Sequence, residues 1–242
     1  MHTVTLWQIF FSEFLGTAVL MTLGTAACAN NTLRSTKGFG QGSVGVTFAW
    51  GFAVFTAAYV AFRSGAHLNP AVTLGFAIHS HEFAPGIAVS WPHASMYVTG
   101  QLAGAFVGSC IAYLAYQPHF VHATRENSLG IFSTTPAIRK PWWNLTTEII
   151  ATTVLVLWLL ISGYTQSATG PLAVAVVVVA IGLGLGGPTG FAINPARDLG
   201  PRIAHALLPI KDKGSSDWGY AWIPIVGPLV GGAIAALIAA AL

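Results

Sequence analysis

Six apolar stretches, each close to the length of one membrane crossing, constrain this chain more than any other feature. They cover Ile9–Cys28, Gly42–Phe62, His93–Tyr116, Leu145–Ile161 with a few flanking residues, Pro171–Gly187 and Tyr220–Leu242. A spanning helix needs about 20 mostly apolar residues. Only 7% of the 242 residues are charged, against about 25% in an ordinary soluble domain. So few charges cannot cover a water-facing surface. The 27 glycines suit helices that approach closely in lipid. The formal net charge of +3 is spread over loops, and no basic run suggests nucleic acid. The first apolar stretch begins near Trp7 with no Lys or Arg before it, so it reads as a span rather than a signal peptide. Cys28 and Cys110 both lie in apolar stretches and read as buried free thiols.

Two more apolar pieces are too short to span, from Asn69 to about His79 and from Asn194 to about Leu207. Pieces of that length are candidates for re-entrant segments. The connections over 117–141 and 210–219 are long and polar, whereas 162–170 is short. None separates two domains, so the chain reads as a single domain over 1–242. It also repeats itself. Glu13-Phe-Leu-Gly-Thr17 resembles Glu148-Ile-Ile-Ala-Thr152, and Gly65-Ala-His-Leu-Asn-Pro-Ala71 resembles Gly190-Phe-Ala-Ile-Asn-Pro-Ala196. Gly100-Gln-Leu-Ala-Gly104 resembles Gly227-Pro-Leu-Val-Gly231. Repeat one covers about 7–116 and repeat two about 143–242. Three spans per repeat is an odd number, so the halves are expected to be inverted in the membrane. One short segment then enters from each side, and their tips can meet near the midplane.

The chemistry of those tips follows from their sequence. Asn69-Pro70-Ala71 and Asn194-Pro195-Ala196 each read as a helix start, with Asn as N-cap and Pro at the first helical position. A helix start exposes unpaired N–H groups and roughly half a positive charge. Two facing starts oppose the passage of cations and protons. The Asn amides can donate to a passing oxygen. Non-helical backbone at membrane depth must be buried in protein or line a wet cavity. Gly65, Ala66, His67 and Leu68, with Gly190, Phe191, Ala192 and Ile193, would therefore present carbonyls to a pore. Arg197 lies one turn into the second segment, where the first has Val72. An intramembrane charge suggests function; the structural alternative is pairing to Asp198 or to carbonyls.

The segments Ser64-Gly-Ala-His-Leu-Asn-Pro-Ala-Val-Thr73 and Gly190-Phe-Ala-Ile-Asn-Pro-Ala-Arg-Asp-Leu-Gly-Pro-Arg202 resemble the two signature loops of the major intrinsic protein (aquaporin) superfamily. The resemblance covers nearly the whole chain. It implies an all-α membrane protein of six transmembrane helices plus two re-entrant half-helices in an inverted 3+3 repeat. Asp198, Arg202 and the pair Pro228-Leu229 are similar to the glycerol facilitator branch. The resemblance carries the family's narrowest ring onto Trp50, Gly182, Phe191 and Arg197. Gly182 would open that ring, Phe191 would occupy the freed space, and the two aromatics would face a carbon backbone opposite a guanidinium that binds hydroxyls. It further implies a homotetramer with one pore per subunit, in the plasma membrane, with cytoplasmic termini. In that orientation the cytoplasmic connections hold Arg63 and little else, against the positive-inside tendency.

The lead expectation is a passive channel for glycerol and similar small neutral solutes with some water, without catalysis, cofactor or metal. Alternatives are a channel for protonated lactic acid or similar hydroxy acids, a strict water channel, a non-conducting structural membrane protein, or a proton-coupled transporter using Glu13 or Glu148. The symmetry of those two carboxylates favours a supporting role instead, each accepting N–H groups from its half's re-entrant loop; the resemblance adds Asp198 to the supporting residues. The pairs His79/His81 and His119/His122 read as solvated loop histidines, and His67 as pore-facing. Asn144-Leu-Thr146 matches a glycosylation pattern. The glycines at 100, 104 and 108, and at 182 and 186, read as close helix contacts.

Overall fold

The structure is a computed structural model and describes residues 4–164 and 169–242. The short connection expected over 162–170 therefore lies partly outside the described residues. Nine α-helices account for most of these residues. In chain order they are α1 (Leu6–Thr32), α2 (Gly42–Val60), α3 (Pro70–His79), α4 (Trp91–Tyr116) and α5 (Ser128–Phe132), then α6 (Pro141–Ile161), α7 (Pro171–Leu185), α8 (Pro195–Leu207) and α9 (Ile223–Ala239). α1, α2, α4 and α6 are long and apolar enough to cross a membrane. α7 and α9 are apolar but shorter, with 15 and 17 residues. α7 stops just before Gly186-Gly187-Pro188, where the proline biases the residue before it away from helix. One departure from all-helix structure is a small antiparallel hairpin, β1 (Glu82–Ala84) with β2 (Ile87–Ala88), which buries Phe83 and Ile87.

Helices in lipid gain little from burying apolar surface against one another, so they pack through small residues. α1 packs on α4 and α6 on α9, and in both pairs glycines carry the approach. A β-carbon at Gly100, Gly104 or Gly108 would stand 2.7, 2.3 or 2.2 Å from a carbonyl oxygen of α1. At Gly231 it would stand 2.6 Å from the Ile149 carbonyl of α6. Gly182 meets Thr47 of α2 in the same way, at 2.5 Å. Gly186 differs from the expectation, because a side chain there would meet Phe191 and the Gly182 carbonyl rather than another helix.

The two short helices lock the halves together. α3 packs on α9, and α8 packs on α4, so each crosses to the other repeat's last helix. Glycine again permits this: Gly232 approaches the Ala71 carbonyl of α3, and Gly200 approaches Ala105 of α4. The 117–141 connection is less of a plain polar loop than its composition suggests. It contains α5, whose Ile131 and Phe132 are fully buried. Asn144 is also buried. Its amide oxygen accepts from the Lys140 N–H and its nitrogen donates to the Ile138 carbonyl. The glycosylation pattern is therefore closed, and its asparagine secures the start of α6.

Candidate functional site

α3 and α8 start at the two Asn-Pro-Ala triplets, and their tips meet. Each Asn is extended and caps its helix. Asn69 Oδ1 accepts from the Ala71 N–H at 2.9 Å, and Asn194 Oδ1 accepts from the N–H groups of Ala196 and Arg197 at 2.9 and 3.2 Å. Each amide nitrogen donates across to the other loop, Asn69 to the Ile193 carbonyl and Asn194 to the Leu68 carbonyl, both at 2.8 Å. An amide has two N–H donors. One of each pair is thus used between the loops, and the second remains for a solute. Leu68 and Ile193 correspondingly give part of their carbonyl capacity to the protein rather than to a pore.

The backbone before each tip has an alternating left-handed pattern that the sequence does not announce. Gly65, Ala66 and Leu68 have φ of 80°, 58° and 57°; Gly190, Phe191 and Ile193 have 83°, 41° and 45°. Glycine adopts this region freely, but Ala, Leu, Phe and Ile do so at a cost of about 1–3 kcal/mol each. Buried carboxylates hold the pattern. Glu13 accepts from the N–H groups of His67 and Leu68 at 3.0 and 2.7 Å. Glu148 accepts from those of Ala192 and Ile193 at 3.0 and 2.8 Å. Such charge-assisted bonds are about twice as strong as neutral ones. Ser64 and Gln101 complete the shell of Glu13, and Thr189 that of Glu148.

Two cavities flank the tips. The first, about 420 Å³, is lined by residues including Leu20, Val54, Asn69, Asn194 and Ile193. The second, about 450 Å³, is lined by residues including Cys28, Thr47, Thr134, Gly182 and Gly190. Trp50, Phe191 and Arg197 line both, so the cavities abut at these three side chains. Gly182 lies beside them, because a β-carbon there would be 2.8 Å from Phe191 Cζ. The four residues of the expected ring therefore come together from α2, α7, the loop before α8, and α8 itself. Of the eight backbone positions expected to line a pore, Gly190 borders the second cavity, Phe191 borders both, and the other six border the first.

Arg197 is 8% exposed and its guanidinium carbon lies 4.1 Å from the Trp50 ring centroid. Its Nη1 donates to the Phe132 carbonyl of α5 at 3.0 Å. That is its one side-chain hydrogen bond among the described residues, so most of its five donors remain for a ligand. Of the two structural alternatives, pairing to a carbonyl forms, at Phe132, and pairing to Asp198 does not. Asp198 instead pairs with Arg202 at 2.8 Å, both fully buried, and accepts from the N–H and hydroxyl of Thr134. Arg202 also donates to the Thr134 and Ser216 carbonyls. Asp198 thus supports the two polar connections rather than the loop before α8. Which carbonyl holds Arg197 is not legible in the sequence, because a backbone carbonyl leaves no mark in composition.

His67, expected to face the pore, borders the first cavity, and its ring is held by the protein. Its ring is buried against Phe76, Phe83 and Tyr97, with Nδ1 on the Thr73 hydroxyl at 3.1 Å and Nε2 on the Phe83 carbonyl at 2.9 Å. Both ring nitrogens are used, and the ring ties the loop to the hairpin. Of the two free cysteines, Cys28 is buried and borders the second cavity, whereas Cys110 is half-buried.

Apolar helices with two opposed helix starts and a narrow polar–aromatic junction between two cavities define a membrane channel. The chain belongs to the major intrinsic protein family, whose model matches residues 1–239. It is 48% identical over 231 residues to glycerol uptake facilitator protein 3 of Lactiplantibacillus plantarum, covering 93% of each chain. It is 46% identical over 233 residues to a probable glycerol uptake facilitator protein of Thermotoga maritima, covering 95% of this chain and 97% of that one. The solved structure of the aquaglyceroporin from Plasmodium falciparum matches with a TM-score of 0.75 at 30% identity, over 97% of this chain and 95% of that one. The protein is therefore an integral membrane channel protein with the aquaporin-like helical fold, and not an enzyme.

Proposed function

We infer that the chain conducts glycerol and similar small neutral solutes, with some water, by passive diffusion through the two cavities. The observation that carries this reading is the junction at Trp50, Phe191 and Arg197, with Gly182 beside it. Two aromatic surfaces face the carbon side of a polyol, and the unspent guanidinium donors face its hydroxyls. The names of the relatives support glycerol as the solute. Gly182 leaves room for Phe191 and so for a solute larger than water. The two Asn side chains each keep one N–H for a passing oxygen, and the facing helix starts oppose cations. Glu13 and Glu148 act as loop supports, since all four carboxylate oxygens accept hydrogen bonds from the protein.

The same junction suits an uncharged hydroxy acid such as protonated lactic acid, which has a similar size and oxygen pattern. The architecture assigned is one channel domain of two inverted repeats, with α7 and α9 completing six crossings and α3 and α8 as half-helices. The assembly assigned is a homotetramer in the plasma membrane with cytoplasmic termini. Stopped-flow swelling of proteoliposomes with water, glycerol and lactic acid across pH tests the solute reading. Glycerol is expected to enter with no ion gradient, and lactic acid flux to follow only the protonated fraction. Glycerol entry that requires a gradient, or no swelling with any solute, rules the channel reading out.

A further inference from the structure

The indole at the junction rests on a missing side chain in another helix. A β-carbon at Gly24 of α1 would stand 2.3 Å from Trp50 Cζ3, 2.4 Å from Cη2 and 2.6 Å from Cε3. These are three consecutive atoms of the six-membered ring at nearly equal distances, so the position lies over the ring face rather than at its edge. All three nearest atoms belong to the indole and none to Arg197. The guanidinium lies 4.1 Å from the ring centroid, so the same indole touches both α1 and the charge. Leu20 and Cys28, one turn to either side of Gly24, border the first and the second cavity. One face of α1 thus runs along both cavities, with the glycine at the level of the junction.

We propose that Gly24 is a positioning residue for solute selection: its lack of a side chain sets how far Trp50 stands back from Arg197 and Phe191, and so sets the opening. The proposal rests on the reading of Trp50, Gly182, Phe191 and Arg197 as the selecting ring. Ordinary contact begins at 3.4 Å, so an alanine at position 24 would require the ring to move by 3.4 − 2.3 = 1.1 Å. A ring displaced from α1 shifts within the junction, because Trp50 borders both cavities and packs on the guanidinium. Phe191 has a comparable glycine behind it, since a β-carbon at Gly186 would stand 2.7 Å from its Cδ1. Both aromatic walls are therefore set back by glycines. Narrowing by about an ångström obstructs a three-carbon polyol more than it obstructs water.

The test uses Gly24→Ala, Trp50→Phe and the double variant in proteoliposomes, with glycerol and water permeability read by stopped flow. Trp50→Phe removes the three ring atoms that the new methyl group would strike. Gly24→Ala is expected to lower glycerol permeability relative to water on the order of tenfold, equivalent to about 1.4 kcal/mol of barrier. The double variant is expected to recover the ratio shown by Trp50→Phe alone. Gly104→Ala, which strikes the Phe14 carbonyl at the α1–α4 contact, controls for general packing damage and is expected to lower both fluxes in proportion. A ratio unchanged by Gly24→Ala but shifted by Trp50→Phe overturns the role of Gly24 and leaves the ring intact. A ratio unchanged by either variant overturns the ring reading itself. If Gly24→Ala does not assemble, the double variant decides: its assembly supports the positioning role, and its failure overturns it.

Discussion

The two re-entrant loops share one backbone and differ in side-chain chemistry. Residues 65–69 and 190–194 have left-handed φ at the same three positions, an Asn cap, a bond to the opposite loop and a buried glutamate beneath. Their side chains then diverge. The first loop places Ala66, His67 and Val72 where the second places Phe191, Ala192 and Arg197. His67 borders the first cavity and its ring bonds to the hairpin, whereas Phe191 and Arg197 border both cavities. The shared part sets the backbone of the two tips, while the second loop adds two of the four residues of the proposed selecting ring, Phe191 and Arg197, to Trp50 and Gly182.

The largest expected effect comes from breaking the shared part. Glu13→Ala strands the buried N–H groups of His67 and Leu68, because Ser64 and Gln101 keep the Ala61 carbonyl and the Thr73 hydroxyl, and Glu148→Ala strands Thr189, Ala192 and Ile193, at about 1–3 kcal/mol for each donor left unsatisfied. Both variants are expected to lose most of their folded protein in detergent, and Glu148→Ala more. Equal melting temperatures to the parent would refute the supporting role. Gln101 serves only the first half, because its counterpart in the repeat is Pro228.

Arg197→Val sharpens the comparison by giving the second tip the residue type of the first. It is expected to leave folding intact, since the side chain makes one hydrogen bond to the protein. Glycerol selection against larger polyols should fall and a cation leak should appear in liposome flux assays. An unchanged solute ranking would remove Arg197 from the selecting ring.

Smaller effects separate the two caps. Asn69→Ala and Asn194→Ala each lose a cap, worth about 0.5–2 kcal/mol, together with one cross-loop bond. Asn194 caps two N–H groups and Asn69 one, so Asn194→Ala is expected to show the lower melting temperature by a few degrees. The reverse order would contradict the capping geometry.

Much of this was legible in the sequence because it is carried by residue type at fixed spacing. The two triplets, the repeated Glu and the charge of Arg197 each have a local signature. The bounds of α3 and α8 follow from Asn-Pro at one end and the loss of apolar residues at the other. What was not legible depends on tertiary contact. Ala66, Leu68, Phe191 and Ile193 have no intrinsic preference for positive φ; the glutamates and the crossed Asn bonds hold them there. Gly24 resembles any other glycine in an apolar helix until the indole is seen against it. The bonds of the His67 ring to Thr73 and to the hairpin are likewise tertiary and leave no mark in the sequence. The helix α5 escaped notice because five residues are too few to show a period.

Both buried glutamates are assigned to holding backbone, and neither to carrying protons. Proteoliposomes loaded with a pH-sensitive dye and given a glycerol gradient test this assignment most directly. Glycerol is expected to equilibrate while the internal pH stays constant. Proton movement in fixed proportion to glycerol entry, abolished by altering Glu13 or Glu148, would contradict it.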